Sequence, residues 1–364
     1  VDVRGEQGVV ERGRMVEAHV AAARFYRREL LRAHNSWPAD HLIERGLHNL
    51  LSTESAFKVG YAPDGWARLV DHLKSQGFDE RTLLSAGLAT TTQSGYVIDR
   101  FRDRLMFPAW SSDRELVGFT GRARGGSVKY LNSPTTPIYQ KSDALVGLVE
   151  QRDLLEKGAI PVLVEGPMDA AAVDKISRLT EGAWAGVSAC GTAVSFKQAA
   201  VLAHFSSSDT VIVAFDDDSG GRRGAVRCMD DLTHFFRHVH AAELPSGHDP
   251  ASLIKAGEPD QLHAALRYPR PLAEVAIEAE LARWSRVLDH ISGRVNALRA
   301  VAPLVARLPQ DQVAGTLGKL SQLLELEEAI IVREFVQALH APVLRVTRHP
   351  DDSPGSVDPP APSF

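Results

Sequence analysis

Val162-Leu-Val-Glu-Gly-Pro-Met-Asp169 and Val211-Ile-Val-Ala-Phe-Asp-Asp-Asp-Ser-Gly-Gly-Arg222 are short apolar runs that each end abruptly in acid. The first places Glu165 at the tip of a predicted strand and Asp169 just inside the next predicted helix. The second places Asp216 and Asp218 at positions i and i+2, which in an extended strand point to the same face. Two carboxylates held that close repel each other unless a divalent cation sits between them. Mg²⁺ is commonly held by one or two carboxylates together with waters and substrate phosphates. The pattern therefore predicts a Mg²⁺ (or Mn²⁺) site at the carboxyl end of a parallel sheet, where open α/β sheets place their ligands.

Around these runs, strand-like and helix-like segments alternate from residue 150 to 258, with strands predicted at 162–164, 186–189, 211–215 and 239–243. Helices are predicted between them at 168–178, 195–205, 221–237 and 250–256, and that alternation means a parallel sheet covered by helices. Upstream, residues 15–33 have helical apolar spacing and residues 37–90 hold short helices broken by glycines. Residues 95–148 read as short strands at Tyr96–Ile98, Leu105–Phe107 and Leu116–Phe119, with the Asn132-Ser-Pro-Thr-Thr-Pro137 stretch as a loop. Downstream, residues 270–341 read as a small helical bundle. The expected division is a flexible N-terminus (1–14), an α+β subdomain (15–148), the parallel-sheet domain (149–260), the bundle (261–341) and a disordered Pro-rich tail (342–364).

These blocks stand in an order that resembles the catalytic core of the bacterial DnaG-type DNA primases. Glu165-Gly-x-x-Asp169, Gly191-Thr-Ala and Asp216-x-Asp218 are similar to the TOPRIM domain shared by primases, topoisomerases and some nucleases. Arg45-Gly-Leu47, Phe57-Lys-Val-Gly-Tyr-Ala-Pro-Asp-Gly-Trp66 and Asp99-Arg-Phe-Arg-Asp-Arg-Leu-Met-Phe-Pro108 narrow the choice to primases. So do Val117-Gly-Phe-Thr-Gly-Arg122, Lys129-Tyr-Leu-Asn-Ser-Pro134 and Leu244-Pro-Ser-Gly-His-Asp-Pro250. The resemblance covers roughly residues 17–340. It implies an α/β TOPRIM parallel-sheet core with an N-terminal α+β subdomain and a C-terminal helical bundle. The activity it implies is RNA primer synthesis on single-stranded DNA from ribonucleoside triphosphates, a nucleotidyl transfer.

The resemblance assigns Asp216 and Asp218 to metal binding, and makes Glu165 either a ligand or the group that manages the hydroxyl proton. Asp169 and Asp249 are further candidate ligands, although each also reads as a helix N-terminal acid. The family carries a second acid two residues after Asp249 and a glycine at the position of Asp217; this chain has Ala251 and Asp217, which leaves the number of metals open. Arg45, Arg100, Arg102, Arg104, Arg122, Lys129, Asn132 and Lys141 are expected to bind template and triphosphate. Arginine forks match phosphate geometry, and lysine acts as a point charge.

Composition constrains the rest. The 364 residues carry 41 Lys and Arg against 46 Asp and Glu, so bulk charge does not advertise a nucleic-acid binder; between Asp99 and Lys129, however, seven basic residues stand against four acids. No run of eighteen apolar residues predicts a membrane span. The two cysteines, Cys190 and Cys228, are far apart and fit a reduced, cytoplasmic location with two buried thiols. The spacing of His234, His238, His240 and His248 matches no zinc site. The resemblance implies an N-terminal zinc ribbon and C-terminal helicase-binding helices, yet no CxxC precedes residue 15 and a proline-rich stretch follows the bundle. Those functions are therefore expected to be lost, encoded outside this sequence, or supplied by a separate zinc-ribbon protein and a replicative helicase as partners. Two other readings stand beside primer synthesis: a TOPRIM nuclease using the same carboxylates, and a primase-derived module that binds single-stranded DNA or a replication partner.

Overall fold

Helix α1 spans Val3–Arg32, so it begins a dozen residues before the start expected at 15, and the segment 3–14 is helical rather than a loose terminus. Gly5, Gly8 and Gly13 lower the local helix propensity, and from Arg12 onward tertiary contacts support the helix. Arg12 pairs with Glu115. Arg14 donates to the Gly77 carbonyl at 2.8 Å and lies 4.1 Å over the Phe78 ring. Met15, Ala18, His19, Ala22, Phe25, Tyr26 and Leu30 form the buried stripe of α1. The computed structural model describes residues 3–32, 36–125, 128–191, 194–215, 219–308 and 310–340, so the expected tail at 342–364 lies outside the described residues.

The chain divides into two units, 1–272 and 273–364. In the first, α2 (Trp37–Glu44) is followed by the short strand β1 (Gly60–Ala62), α3 (Arg68–Ser75), α4 (Glu80–Ser85) and a two-stranded ribbon of β2 (Ala89–Thr91) and β3 (Val97–Asp99). The buried Asp99 accepts the Leu69 and Val70 N–H groups at 2.8 and 2.9 Å, so β3 ties down the start of α3. Strands β4 (Arg104–Trp110), β5 (Leu116–Ala123) and β6 (Tyr130–Asn132) then build an antiparallel sheet in the order β1-β4-β5-β6. Residues 130–132, which run up to and include the first residue of the predicted loop, Asn132, are thus the edge strand of this sheet. Three residues are too few to show a period of two, and it is pairing with β5 that makes them a strand.

After α5 (Arg152–Glu156) comes the alternation that the acid-tipped runs predict: β7 (Ile160–Val164), α6 (Pro167–Leu179), β8 (Trp184–Ser188), α7 (Phe196–Phe205), β9 (Thr210–Val213), α8 (Ser219–Thr233), β10 (His238–Ala241) and α9 (Pro250–Ala256). The sheet order is β11-β10-β9-β7-β8, parallel through β10, β9, β7 and β8. Two elements lie beyond the sequence reading: α10 (Pro259–Arg267), and the edge strand β11 (Arg270–Pro271), which runs antiparallel to β10. Isolated antiparallel pairs join Trp110 to Leu145 and Val146 to Ser188, so a single short segment links the antiparallel sheet to the parallel one.

The second unit begins within α11 (Leu272–Trp284) and continues with α12 (Ile291–Val305), α13 (Gln310–Leu324) and α14 (Glu328–His340). Ala297, Leu298, Val301, Val305, Leu320, Leu324 and Ile331 are among its buried residues. Arg299 forks onto the buried Glu334 at 2.8 and 3.2 Å. No helix of the described residues is long and apolar enough to cross a membrane.

Candidate functional site

Two walls from distant parts of the first unit enclose a cleft of about 230 Å³, lined by Arg45, Arg122, Lys129, Glu165, Asp169 and Asp249 among others. The acidic wall stands on the parallel sheet. β7 ends at Val164, so Glu165 is the first residue past the strand. The next residues start α6, with Gly166 as N-cap and Pro167 at the first helical position, where its missing N–H costs nothing. Asp169 is buried and engaged through both oxygens: Oδ2 accepts the Gly166 N–H at 3.2 Å and Oδ1 accepts the Ala251 N–H at 3.1 Å. It therefore ties the start of α6 to the start of α9. Asp249 caps α9, accepting the Ser252 N–H at 2.6 Å, while Ser252 Oγ accepts the Asp249 N–H at 2.9 Å. Two helix N-termini thus meet at the cleft, an arrangement that favours anions.

The basic wall stands on the antiparallel sheet. The register pairs Arg122 with Leu105 and Tyr130, and Thr120 with Phe107 and Asn132, so these side chains share one face. Arg122 is buried, donates from Nη1 to the Tyr130 hydroxyl at 2.7 Å and from Nε to His41 Nε2 at 3.1 Å. Burial pushes the Tyr130 hydroxyl above its ordinary range. Burial first, and then the charges of Arg122, Arg45, Lys255 and Arg124, push His41 down to about 4. The walls lie close at Gly166, where a Cβ would stand 2.8 Å from Asp169 Oδ2 and 3.2 Å from the Tyr130 hydroxyl, so a side chain there would crowd the acidic wall against the basic one.

The basic residues singled out in the sequence are distributed unevenly. Arg45, Arg122 and Lys129 line the cleft. Asn132 reaches it through Thr120, whose hydroxyl donates to Asn132 Oδ1 at 2.7 Å. Lys141 sits at the rim against Gly191, where a Cβ would lie 3.1 Å from its Nζ. Arg104 pairs with Ala123, one residue out of step with Arg122, so it occupies the opposite face of the sheet and donates to the Gly121 and Val128 carbonyls at 3.3 Å. Arg102 lies 4.6 Å over the ring of Trp66, which is 67% exposed. Arg100 is not among the cleft residues.

Asp216, Asp217 and Asp218 lie outside the described residues. Strand β9 ends at Val213, but the Ala214 N–H donates to the Leu163 carbonyl at 2.8 Å, so the chain entering Phe215 runs alongside the end of β7 and Glu165. Among the described residues no three His, Cys, Asp or Glu side chains come close enough to hold a cation by themselves. The carboxylates that line the cleft are nevertheless the oxygen donors that suit a hard divalent ion. Residues to which sequence reasoning gave no functional role are His41, Trp66, Tyr130 and Cys190. Cys190 is half-buried rather than buried, lines the cleft, and has its Sγ 3.2 Å from the Thr120 hydroxyl oxygen. Trp66 closes the Phe57–Trp66 block, but its exposure is seen only in the structure, and His41 meets Arg122 only across 81 residues of chain.

This architecture defines a Toprim-containing α/β protein, and comparison with known proteins agrees: residues 162–254 match the family described as Toprim-like, and residues 25–152 match the DNA primase catalytic core, N-terminal domain. The chain is 35% identical to the DNA primase of Streptomyces coelicolor over 85% of its own length and 49% of that protein. It is 36% identical to the DNA primase of Deinococcus radiodurans over 79% of its own length and 49% of the relative. The RNA polymerase domain of Mycobacterium tuberculosis primase DnaG superposes with a TM-score of 0.71 at 30% identity, covering 85% of this chain and 99% of that one. A DnaG primase catalytic domain bound to single-stranded DNA superposes at 0.70 with 26% identity, covering 88% and 99%. The chain belongs to the DnaG-type DNA primase family and has the fold of its catalytic core. It spans about half the length of the curated relatives it matches.

Proposed function

We propose that this chain synthesises short RNA primers on single-stranded DNA, as an RNA polymerase-type nucleotidyltransferase. The observation that carries this reading is the single cleft in which Glu165, Asp169 and Asp249 face Arg45, Arg122 and Lys129. A nucleotidyl transfer needs such a pairing: acids to handle a 3′-hydroxyl and its cation, and bases to hold phosphate. Asp216 and Asp218, with Glu165 and Asp249, would hold Mg²⁺ or Mn²⁺, which supplies charge neutralisation at the triphosphate. Asp169, with both oxygens already engaged by backbone N–H groups, positions the two helix starts. Arg122, Lys129, Asn132 and Lys141 orient phosphate, and Arg45 closes the basic side. Away from the cleft, Arg102 over the exposed Trp66 has the chemistry of a single-strand platform, a flat ring for a base beside a cation for its phosphate. Arg100, in the same loop, and Arg104, at the start of β4, add positive charge nearby. A replicative helicase and a zinc ribbon, carried by this protein or by another, are the partners this reading calls for.

The test is ribonucleotide incorporation on a single-stranded oligonucleotide template with Mg²⁺ or Mn²⁺, with and without an annealed RNA primer. Template-dependent extension is expected, faster from the primer than from free nucleotides because base pairing already holds one reactant. Template cleavage without incorporation would replace this reading with a nuclease. Tight binding with neither reaction would make the chain a binding module.

A further inference from the structure

Arg122 is 5% exposed, lines the cleft, and has no carboxylate within ion-pair distance among the described residues. A buried guanidinium is costly unless its donors are satisfied. Two of its donors are: Nη1 by the Tyr130 hydroxyl at 2.7 Å and Nε by His41 Nε2 at 3.1 Å. An imidazole nitrogen accepts from Nε only when it carries no proton, so the contact itself requires neutral His41 protonated on Nδ1. The charged groups acting on His41 are all cations: Arg122 on β5, Arg124 just past it, Arg45 at the end of α2 and Lys255 on α9. Each disfavours an imidazolium. His41 is further packed edge-on to Trp37, with ring centroids 6.1 Å apart, which limits its freedom to turn away.

We propose that His41 is a positioning residue that clamps the Nε edge of Arg122, so that the rest of the guanidinium fork presents to a phosphate in the cleft. The inference rests on the reading of the cleft as a phosphate-handling site. A fork fixed in this way loses less rotamer freedom when it binds an oxyanion than a solvated arginine does. Lysine at 122 has no second edge to clamp, and a carboxylate at 41 would neutralise the guanidinium that the phosphate needs. A neutral acceptor surrounded by cations orients the arginine without discharging it. The ligand is a phosphate oxyanion, carried either by the template backbone or by a nucleoside triphosphate.

Two substitutions separate orientation from packing. His41→Phe keeps a ring against Trp37 but offers no acceptor; His41→Gln supplies an amide oxygen. Affinity for a labelled single-stranded oligonucleotide without nucleotide, and KM for ribonucleotide at saturating template, are measured for both variants, for Arg122→Ala and for His41→Phe combined with Arg122→Ala. His41→Phe is expected to weaken one of the two about tenfold, the scale of one charge-assisted hydrogen bond, and the quantity that moves identifies the phosphate's source. His41→Gln should recover most of the loss. The combined variant should bind no worse than Arg122→Ala alone, because a clamp has nothing to act on once the arginine is gone. Additive losses, or a Gln variant as weak as Phe at equal melting temperature, would overturn the proposal and leave the phosphate site standing. If Arg122→Ala changes neither quantity, the phosphate reading of the cleft falls and the clamp falls with it.

Discussion

Replacing Asp169 by alanine tests whether this carboxylate holds the cleft together. Its two oxygens accept the N–H groups of Gly166 and Ala251, from the starts of two helices, Ala251 lying 82 residues from Asp169 in sequence. Asp169 is 6% exposed and Ala251 is 1% exposed, so water reaches the orphaned donors poorly. Leaving a buried N–H without an acceptor costs about 1–3 kcal/mol, and removing a negative charge from a helix first turn costs about 0.5–1 kcal/mol. Two donors at the lower end of that range plus the lost charge give about 3 kcal/mol. For a unit of this size that is a fall in melting temperature of roughly 6–12 °C. Asp169→Asn keeps one oxygen as acceptor but turns an amide NH₂ toward a donor, so about half the loss is expected. Thermal unfolding of the metal-free protein, read alongside primer extension, is the assay. An Asp169→Ala protein that melts with the wild type while losing extension would refute the tie and make Asp169 purely a ligand.

Asp216→Asn and Asp218→Asn should abolish incorporation without lowering the melting temperature of the metal-free protein, since each removes a charge from a repelling pair; near-wild-type extension by either would show that the metal is held elsewhere. Arg122→Ala and Lys129→Ala should weaken single-stranded DNA binding most at low salt, and each lost phosphate contact should flatten the slope of log affinity against log salt by about 0.7; an unchanged slope would remove that residue from the phosphate path. His19 is fully buried, accepts no bond at Nε2, stacks on Phe119, and is pushed by burial from 6.5 down to about 4. The unfolded chain therefore takes up a proton that the folded chain refuses, so this contribution is intact above pH 6.5 and is lost as pH falls toward 4. The gap is worth about 3 kcal/mol at about 1.4 kcal/mol per pH unit. Melting curves of His19→Phe should be flatter than wild type across that window, and parallel curves would count against it.

Much of the parallel half was legible in the residues because its signals are local. An apolar run ending in acid marks β7 and its turn whatever lies around it. Gly166-Pro167 and Asp249-Pro250 carry helix starts in two residues each, and α6 and α9 begin there. The α/β alternation dictates a parallel sheet, because a strand followed by a covering helix can return only beside its predecessor. The antiparallel half was less legible. Strands β1, β2 and β6 have three residues apiece, too short to display a period, and exist because a partner strand completes their hydrogen bonds. Which arginines meet the acids was not readable either. Arg104 and Arg122 look equivalent in sequence, yet pairing of Arg104 with Ala123 and of Leu105 with Arg122 sends them to opposite faces of the sheet. The contacts that complete the cleft, His41 with Arg122 and Asp169 with the Ala251 N–H, join residues about eighty positions apart. The sequence by itself determined which chemical groups are present and which local elements carry them. Only the tertiary structure decided which of those groups share one desolvated cleft, because strand register and helix docking depend on partners that no local window contains.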